Sequence, residues 1–183
     1  LGHIKIGSCI KHDEVPYDFI RKRLSVVIRE GGHHIMITKG AVANILQCCS
    51  YAELPDGTAV SLDKVEADIE NLYQQFSSQG FRTIAISYKD VSGDPSINKD
   101  DESGMTFLGL VTMSDPPKEG IIESVKQLRQ TGVSLKIITG DNRWVAQYVA
   151  AQIGLQSENV LTGSDLRGLS TDVLTRKVEM IDL

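Results

Sequence analysis

Leu108–Asp141, LGLVTMSDPPKEGIIESVKQLRQTGVSLKIITGD, holds two carboxylate-bearing turns joined by one amphipathic helix. The first turn, Ser114-Asp115-Pro116-Pro117, follows the apolar run Leu108–Met113. Pro117 suits the first position of a helix, where its missing N–H would be unpaired anyway. Ile121, Ile122, Val125 and Leu128 recur at helical spacing, and Gly132 can close the helix in a left-handed conformation. A second apolar run, Val133–Ile138, predicts a strand ending at Thr139-Gly140-Asp141, ahead of a helical stretch from Arg143 to Ile153. Strand, loop, helix, strand, loop, helix is the order of a parallel α/β sheet, in which ligands bind at the carboxyl ends of the strands. Asp115 and Asp141 are therefore expected on the same edge of that sheet.

At such an edge Thr139 offers a hydroxyl, and Gly140 lets a phosphate approach backbone N–H groups. Asp141 can orient a metal-bound or nucleotide phosphate through water or Mg²⁺. Phosphoryl handling is the chemistry this suggests. A Thr-Gly-Asp turn after a strand is equally a helix N-cap with a tight bend, and Asp before proline is a common turn starter, so both readings stand on these residues alone.

A chain of 183 residues with 41% apolar content fits one large or two small globular domains. The net charge of −5 leaves no excess of basic residues for neutralising a phosphate backbone, so nucleic acid is not an expected partner. No apolar run approaches the roughly 18 residues needed to span a bilayer, and the first residues lack the form of a signal peptide. A soluble chain that does not itself insert into a membrane is expected. Cys9 and the adjacent Cys48-Cys49 form neither an even framework nor a Cys-x-x-Cys motif, which fits a reducing cytosolic setting. Cys48 and Cys49 are expected to close a helical segment with Ala41, Ile45 and Leu46, as buried small side chains. The start at Leu1 and the charged helical pattern from Thr171 to Ile181 suggest a fragment excised from a longer protein.

The first half differs in character. Leu24–Ile28 and Ile35–Thr38 flank Gly31-Gly32 and predict an antiparallel hairpin. A short helix is expected from Ala41, a turn at Leu54-Pro55-Asp56-Gly57, and a longer helix whose apolar face is Val65, Ile69, Leu72, Tyr73 and Phe76. Arg82–Tyr88 predicts another strand, and the polar stretch Lys89–Gly104 a loop that ends the first domain. No internal repeat or low-complexity tract is present.

Glu14-Val15-Pro16-Tyr17-Asp18-Phe19 precedes the basic cluster Arg21-Lys22-Arg23. An aromatic beside cations suits a nucleotide base with an anionic tail, although aromatics entering a strand are commonly core and basic runs commonly solvated. In Thr38-Lys39-Gly40-Ala41 a lysine at a strand end is followed by glycine at a helix start, which projects an ammonium over the sheet edge and leaves room for a ligand. His33 and His34, neighbours on a strand, point to opposite faces and cannot easily chelate one metal. No metal site is expected.

Taken together and in this order, Lys39-Gly40-Ala41, Asp115-Pro116-Pro117 and Thr139-Gly140-Asp141-Asn142 resemble the cytoplasmic catalytic region of P-type ATPases. The strings Asp13–Phe19, Arg21–Val27, Asp101-Glu102-Ser103, Asp115–Glu119 and Val160–Leu166 look most like the magnesium-transporting branch, and the resemblance runs from about Lys11 to the end. It implies an α+β nucleotide-binding domain over residues 1–103, an antiparallel sheet with helices, expected to be clipped at its start. A partial α/β haloacid-dehalogenase-like, Rossmann-type phosphorylation domain would follow over residues 104–183. ATP, with Mg²⁺, would be the cofactor. By the same resemblance Tyr17 stacks on adenine, with Phe19 beside it, Lys39 and Gly40 line the adenine pocket, and Arg82 reaches ribose and phosphates. Asp115 lies near the ribose and hinge, Thr139 and Gly140 hold the transferred phosphoryl group, and Asp141 lies near the phosphates and Mg²⁺. The partners implied are adenine nucleotide and the rest of the same pump, its transmembrane and actuator domains, at the cytoplasmic face of a cell membrane.

The family's Asp-Lys-Thr-Gly-Thr segment with its nucleophile, its later phosphate-binding lysine and its Gly-Asp-Gly loop have no match here, so the chain should bind nucleotide without turning it over. A stand-alone dehalogenase-fold phosphatase would need an aspartate pair after an early apolar strand, and Asp13 and Asp18 have none before them. A non-catalytic interaction module would keep the fold without nucleotide.

Overall fold

The computed structural model describes residues 9–30, 32–91, 93, 96–155, 160–181 and 183, and divides into two compact units. One comprises Leu1–Tyr73 with Thr83–Val111, the other Gln74–Arg82 with Thr112–Leu183.

The first unit is built on a seven-stranded mixed sheet in the order β1 (Ile10–Asp18), β2 (Arg23–Glu30), β3 (His33–Gly40), β6 (Arg82–Val91), β7 (Met105–Met113), β4 (Cys49–Glu53), β5 (Ala59–Ser61). Strands β1, β2, β3 and β6 pair antiparallel in sequence, as do β4 and β5, whereas β4 and β7 are parallel. In β2 the alternation is plain: Ser25 and Val27 are fully buried, and Leu24, Val26 and Ile28 on the other face are half-buried. Register carries that face across the sheet, from Val27 to Met36 and from Thr38 to Ser87. The helix α1 (Val42–Leu46) contributes Val42, Ile45 and Leu46 to a core with Ala52, Leu62, Ala85 and Phe107. Val65, Ile69 and Tyr73, from the start of α2 (Glu66–Ser78) and the residue before it, pack against the same core. Leu72 does not share that face; it is exposed, because the buried stripe is narrow and centred on Ile69 and Tyr73.

Two of these elements depart from the sequence reading. Ile10–Asp18 forms an edge strand despite its charges, with register irregularities between Lys11 and Asp13 and between Val15 and Asp18. Charged residues and bulges are how exposed sheet edges are blunted, and they also hide the strand from a hydrophobic-pattern reading. Cys49 opens β4 rather than closing a helix, since α1 ends at Leu46 and Cys48 lies in the turn between them. The expected turn at Leu54–Gly57 is present, with the Gly57 N–H donating to the Leu54 carbonyl at 2.8 Å.

In the second unit, α3 (Ile121–Gln130) and α4 (Arg143–Gln152) pack through Val125, Ala150 and Ile153, with Leu155, Leu135 and Ile137. Two further helices, α5 (Gly163–Arg167) and α6 (Thr171–Met180), follow. Val133–Ile138 is not a ladder strand, which corrects the parallel pair expected with Leu108–Met113; β7 takes its parallel neighbour from β4 instead. The run keeps a period of two, with Leu135 and Ile137 turned toward the core and Ile138 fully exposed. A run of this composition becomes a strand only when its backbone N–H and C=O groups find a neighbour, and none flanks it among the described residues. No described helix is long and apolar enough to cross a membrane.

Candidate functional site

The sequence-predicted residues fall into two clusters, one in each unit. In the second unit, Arg82 brings three of them together. Its Nε donates to Asp141 Oδ1 at 2.9 Å and its Nη2 to Asp141 Oδ2 at 3.0 Å, a bidentate pair, while Nη1 lies 3.6 Å from Asp115 Oδ2. The Asp141 hydrogen bond, with the charge of Asp141 and then of Asp115, raises the guanidinium's already high pKa. Thr139 closes the turn: its Oγ1 donates to Asp141 Oδ2 at 2.9 Å and accepts from the Asp141 N–H at 3.1 Å. Asn142 caps α4, its Oδ1 accepting from the Val145 N–H at 3.0 Å, while its Nδ2 donates to Ser77 Oγ at 3.0 Å. Arg82, Asp115, Thr139 and Asp141 border a cavity of about 290 Å³ that also contacts Pro116, Pro117 and Lys118.

The weaker arm of this cluster is the Arg82–Asp115 pair. Asp115 is 76% exposed at its side chain and Arg82 51%, so their ion pair is screened by water and contributes at most about 1 kcal/mol. Gly140 leaves open space where a Cβ would stand, with nothing within 4 Å. A neighbouring groove of about 440 Å³ shares Thr139 and Asp141 with that cavity and is otherwise lined largely by aliphatic side chains, including Ile137, Ile138, Val160 and Leu166.

In the first unit, Tyr17 lies in the second β1 irregularity. Val15 pairs with Ser25 and Asp18 with Arg23, so Pro16 and Tyr17 together face the single residue Leu24. The other neighbour of Leu24 is Lys39 on β3. An exposed aromatic and an exposed ammonium thus flank one aliphatic residue across three strands, about 10 Å apart at the usual strand spacing. Phe19 is 86% exposed at the tip of the β1–β2 turn, its ring edge-on to Tyr17 with centroids 5.3 Å apart. Among the described residues the Lys39 ammonium has no hydrogen-bond or ion-pair partner.

Gly40 is needed for a reason that a sequence reading misses. A Cβ there would run into the Lys22 carbonyl oxygen and stand 2.6 Å from Arg23 Cβ, so the space is filled by the chain itself. The Ala41 N–H donates to the same Lys22 carbonyl at 3.0 Å, and Lys22 is held at φ 53. Gly40→Ala is expected to lower the unfolding free energy by about 1–3 kcal/mol through overpacking, measured by urea unfolding; unchanged stability would show that the β1–β2 turn yields freely.

Two groups of residues were invisible in the sequence. Glu102, only 4% exposed, receives the guanidinium groups of Arg21 and Arg23 and the hydroxyl of Ser25. Burial pushes its carboxyl pKa up, but the hydrogen bonds from Arg21, Ser25 and Arg23 outweigh that and hold it below its ordinary value of 4.5. Its signal lay in Ser25, Thr38 and Ser87, polar residues on the same face as Val27 and Met36, which require partners. The second group is Gly80 and Tyr148. Gly80 adopts φ 84, and a Cβ on it would stand 2.5 Å from Tyr148 Cε1, so the turn before Arg82 rests on the ring of an α4 residue.

Residues 7–120 match the family model of the P-type ATPase cytoplasmic domain N. A magnesium-transporting ATPase, P-type 1, of Escherichia coli (strain K12) is 35% identical over 176 residues, covering 94% of this chain and 20% of the relative. A protein of the same description from Salmonella typhimurium (strain LT2) is 30% identical over 175 residues, 93% of this chain and 19% of the relative. A calcium-transporting ATPase of Listeria monocytogenes is 30% identical over 175 residues, 94% and 20% respectively. The chain spans about a fifth of the length of these curated relatives.

Proposed function

Because the chain belongs to the family of P-type ATPase cytoplasmic N domains, we propose that it binds ATP, and that in a complete pump ATP held here serves phosphorylation of an aspartate outside this chain. The observation that carries this reading is the pairing of Tyr17 with Lys39 across Leu24, an exposed ring and an unpartnered cation on a rigid sheet. A ring face accepts a base by stacking, and an ammonium with no carboxylate beside it favours the electron-rich edge of a base or a phosphate oxygen.

In this proposal Tyr17 and Phe19 hold adenine and Lys39 borders it, while Gly40 keeps the strand end closed against Lys22 and Arg23. Arg82 receives phosphate oxygens in exchange for Asp141 and Asp115, Asp115 borders the ribose, and Thr139 and Gly140 support the transferred phosphoryl group. The nucleotide, with Mg²⁺, supplies the transferable phosphoryl group and a counter-charge to it.

We further read residues 1–103 as the nucleotide-binding domain and 104–183 as part of a dehalogenase-like phosphorylation domain. The alternation of Val133–Ile138, in which Leu135 and Ile137 turn toward the core, supports this. Mg²⁺ is the cargo we propose for the whole protein, on the strength of the magnesium-transporting relatives. The rest of such a pump, including its membrane helices, is the partner, and the chain lies at the cytoplasmic face.

ATP titrated into the purified chain and followed by NMR is expected to give saturable binding with a Kd of about 0.1–1 mM. Lys39→Ala should weaken it at least about tenfold, and Asp141→Asn only slightly, because Asp141 bears on the phosphate end. A folded wild type that shows no saturable change up to about 10 mM ATP would sink the proposal.

A further inference from the structure

The β1–β2 turn carries Phe19 and Ile20 with 86% and 89% of their surfaces exposed, so no apolar burial holds it in place. Its shape is set by polar anchors. From within, Asp18 Oδ1 accepts from the N–H groups of Ile20 and Arg21 at 2.7 and 2.9 Å, and the Lys22 N–H donates to the Asp18 carbonyl at 2.6 Å. From outside, Arg21 donates through Nη2 to the Pro16 carbonyl at 3.0 Å and through Nη1 to Glu102. Pro16 immediately precedes Tyr17. The same Glu102 oxygen accepts Arg23 Nε at 2.8 Å, and Arg23 Nη1 donates to the Asn44 carbonyl at 3.1 Å.

Glu102 is itself fixed. Its Oε1 accepts from Ser25 Oγ at 2.7 Å, and Ser25 lies 2.8 Å from Thr38 Oγ1. With one proton on each hydroxyl, Ser25 donates to the carboxylate, the stronger acceptor, and Thr38 donates to Ser25. The stretch before Glu102 is pinned at several points. Asp13 Oδ2 accepts from the Ile97 N–H at 2.8 Å, Asn98 and Asp101 form a reciprocal capping box, and Lys89 Nζ binds the carbonyls of Asp101 and Ser103. A carboxylate held at both oxygens, 81 positions from Arg21 in sequence, therefore dictates where Arg21 and the Pro16 carbonyl stand.

We propose that Glu102 is a positioning residue for nucleotide binding, acting through Arg21 on Pro16 to fix the aromatic pair Tyr17 and Phe19. This rests on the ATP-binding proposal above. A carboxylate placed only for stability would satisfy two arginines anywhere on the sheet. Here one of those arginines reaches the carbonyl next to the aromatic that the ligand needs, and tightness at that point is what a stacking contact requires.

The test is an ATP titration by ¹H–¹⁵N NMR on the wild-type chain, Glu102→Gln and Arg21→Lys. Lysine at position 21 keeps a charge for Glu102 but has no second nitrogen to reach Pro16. Both variants are expected to keep the dispersed amide signals of β2 and β3, to shift the Tyr17–Arg23 amides before any ATP is added, and to raise the Kd at least about fivefold. A purely structural role would lower the amplitude of the binding signal, through the folded fraction, and leave the Kd at its wild-type value. That outcome, or unmoved Tyr17–Arg23 amides with wild-type affinity, overturns the proposal. Should Glu102→Gln fail to fold, Arg21→Lys decides by the same readouts. A wild type that does not bind ATP removes the underlying functional reading, and the positioning role with it; wild-type binding with unaffected variants removes the positioning role alone.

Discussion

Glu102→Ala is expected to destabilise the sheet unit by about 3 kcal/mol, the lower end of the range for removing one partner of a buried ion pair. The carboxylate has no exposed side-chain surface, while Arg21 and Arg23 each keep 15%, so after its loss both guanidinium groups recover some hydration. They do not recover it fully, and Ser25 is left facing Thr38 with no anionic acceptor. The measurement is amide hydrogen exchange at Ser25, Val27 and Thr38, which report the strands Glu102 joins. The same carboxylate predicts acid lability. Its folded pKa is depressed, so the stability it contributes is present above its ordinary value of 4.5 and is lost as pH falls through the lower folded value. Asp18, held down by the Arg21 and Ile20 N–H groups, and Asp13, held down chiefly by the Ile97 N–H, act in the same direction and in the same part of the unit. The groups facing Glu102 are the guanidinium groups of Arg21 and Arg23 and the hydroxyl of Ser25. Wild-type protection at Ser25 and Thr38 should therefore fall on going from pH 6 to about pH 3, and Glu102→Gln should flatten that dependence. A variant as acid-sensitive as the wild type would assign the lability to other carboxylates.

How far the sequence disclosed this molecule depends on the kind of signal each element carries. The β2–β3 hairpin, α1, β6 and the helices α3 and α4 were legible because β-branched alternation, helical spacing and glycine punctuation agree there. The strand β1 was not, because an edge strand needs no hydrophobic stripe and this one carries Lys11, His12, Asp13 and Glu14 in succession. Nor were β4 and β5, five and three residues long, whose pairing is decided by the parallel neighbour β7 rather than by local composition. Val133–Ile138 shows the opposite error: its composition is that of a strand, but pairing is a property of two segments and only one is described. In the site, side-chain chemistry was legible and causes were not. Lys39 at a strand end was readable from Thr38-Lys39-Gly40, whereas the need for Gly40 comes from Lys22 and Arg23, eighteen and seventeen positions earlier. The grouping of Arg82 with Asp115 and Asp141 rested on resemblance alone, since nothing local says that an arginine opening β6 will meet two later turns.

Ile45→Ala is expected to cost about 2–5 kcal/mol, and the reason bears on how the ATP site should be tested. At five residues α1 is far too short to persist on propensity, so it exists because Val42, Ile45 and Leu46 are buried. Ile45 is fully buried between the sheet residues Ala85 and Phe107 and the remainder of that core. Its carbonyl also accepts from the Cys48 N–H and Sγ, each at 3.0 Å, which sets the turn into β4. Truncation leaves a cavity under α1, whereas Ile45→Val removes one methylene and should cost about 0.5–1.5 kcal/mol. Urea unfolding of the two variants checks the ratio, and near-equal losses would point to strain rather than a void. Because α1 begins two residues after Gly40, Ile45→Ala also provides a control for Lys39→Ala. It should shrink the ATP-responsive population in proportion to the unfolded fraction while leaving the Kd of the folded chain unchanged, whereas Lys39→Ala should raise the Kd without unfolding. If Ile45→Ala raised the Kd as much as Lys39→Ala does, the lysine would matter for the packing of the strand end and not for its charge.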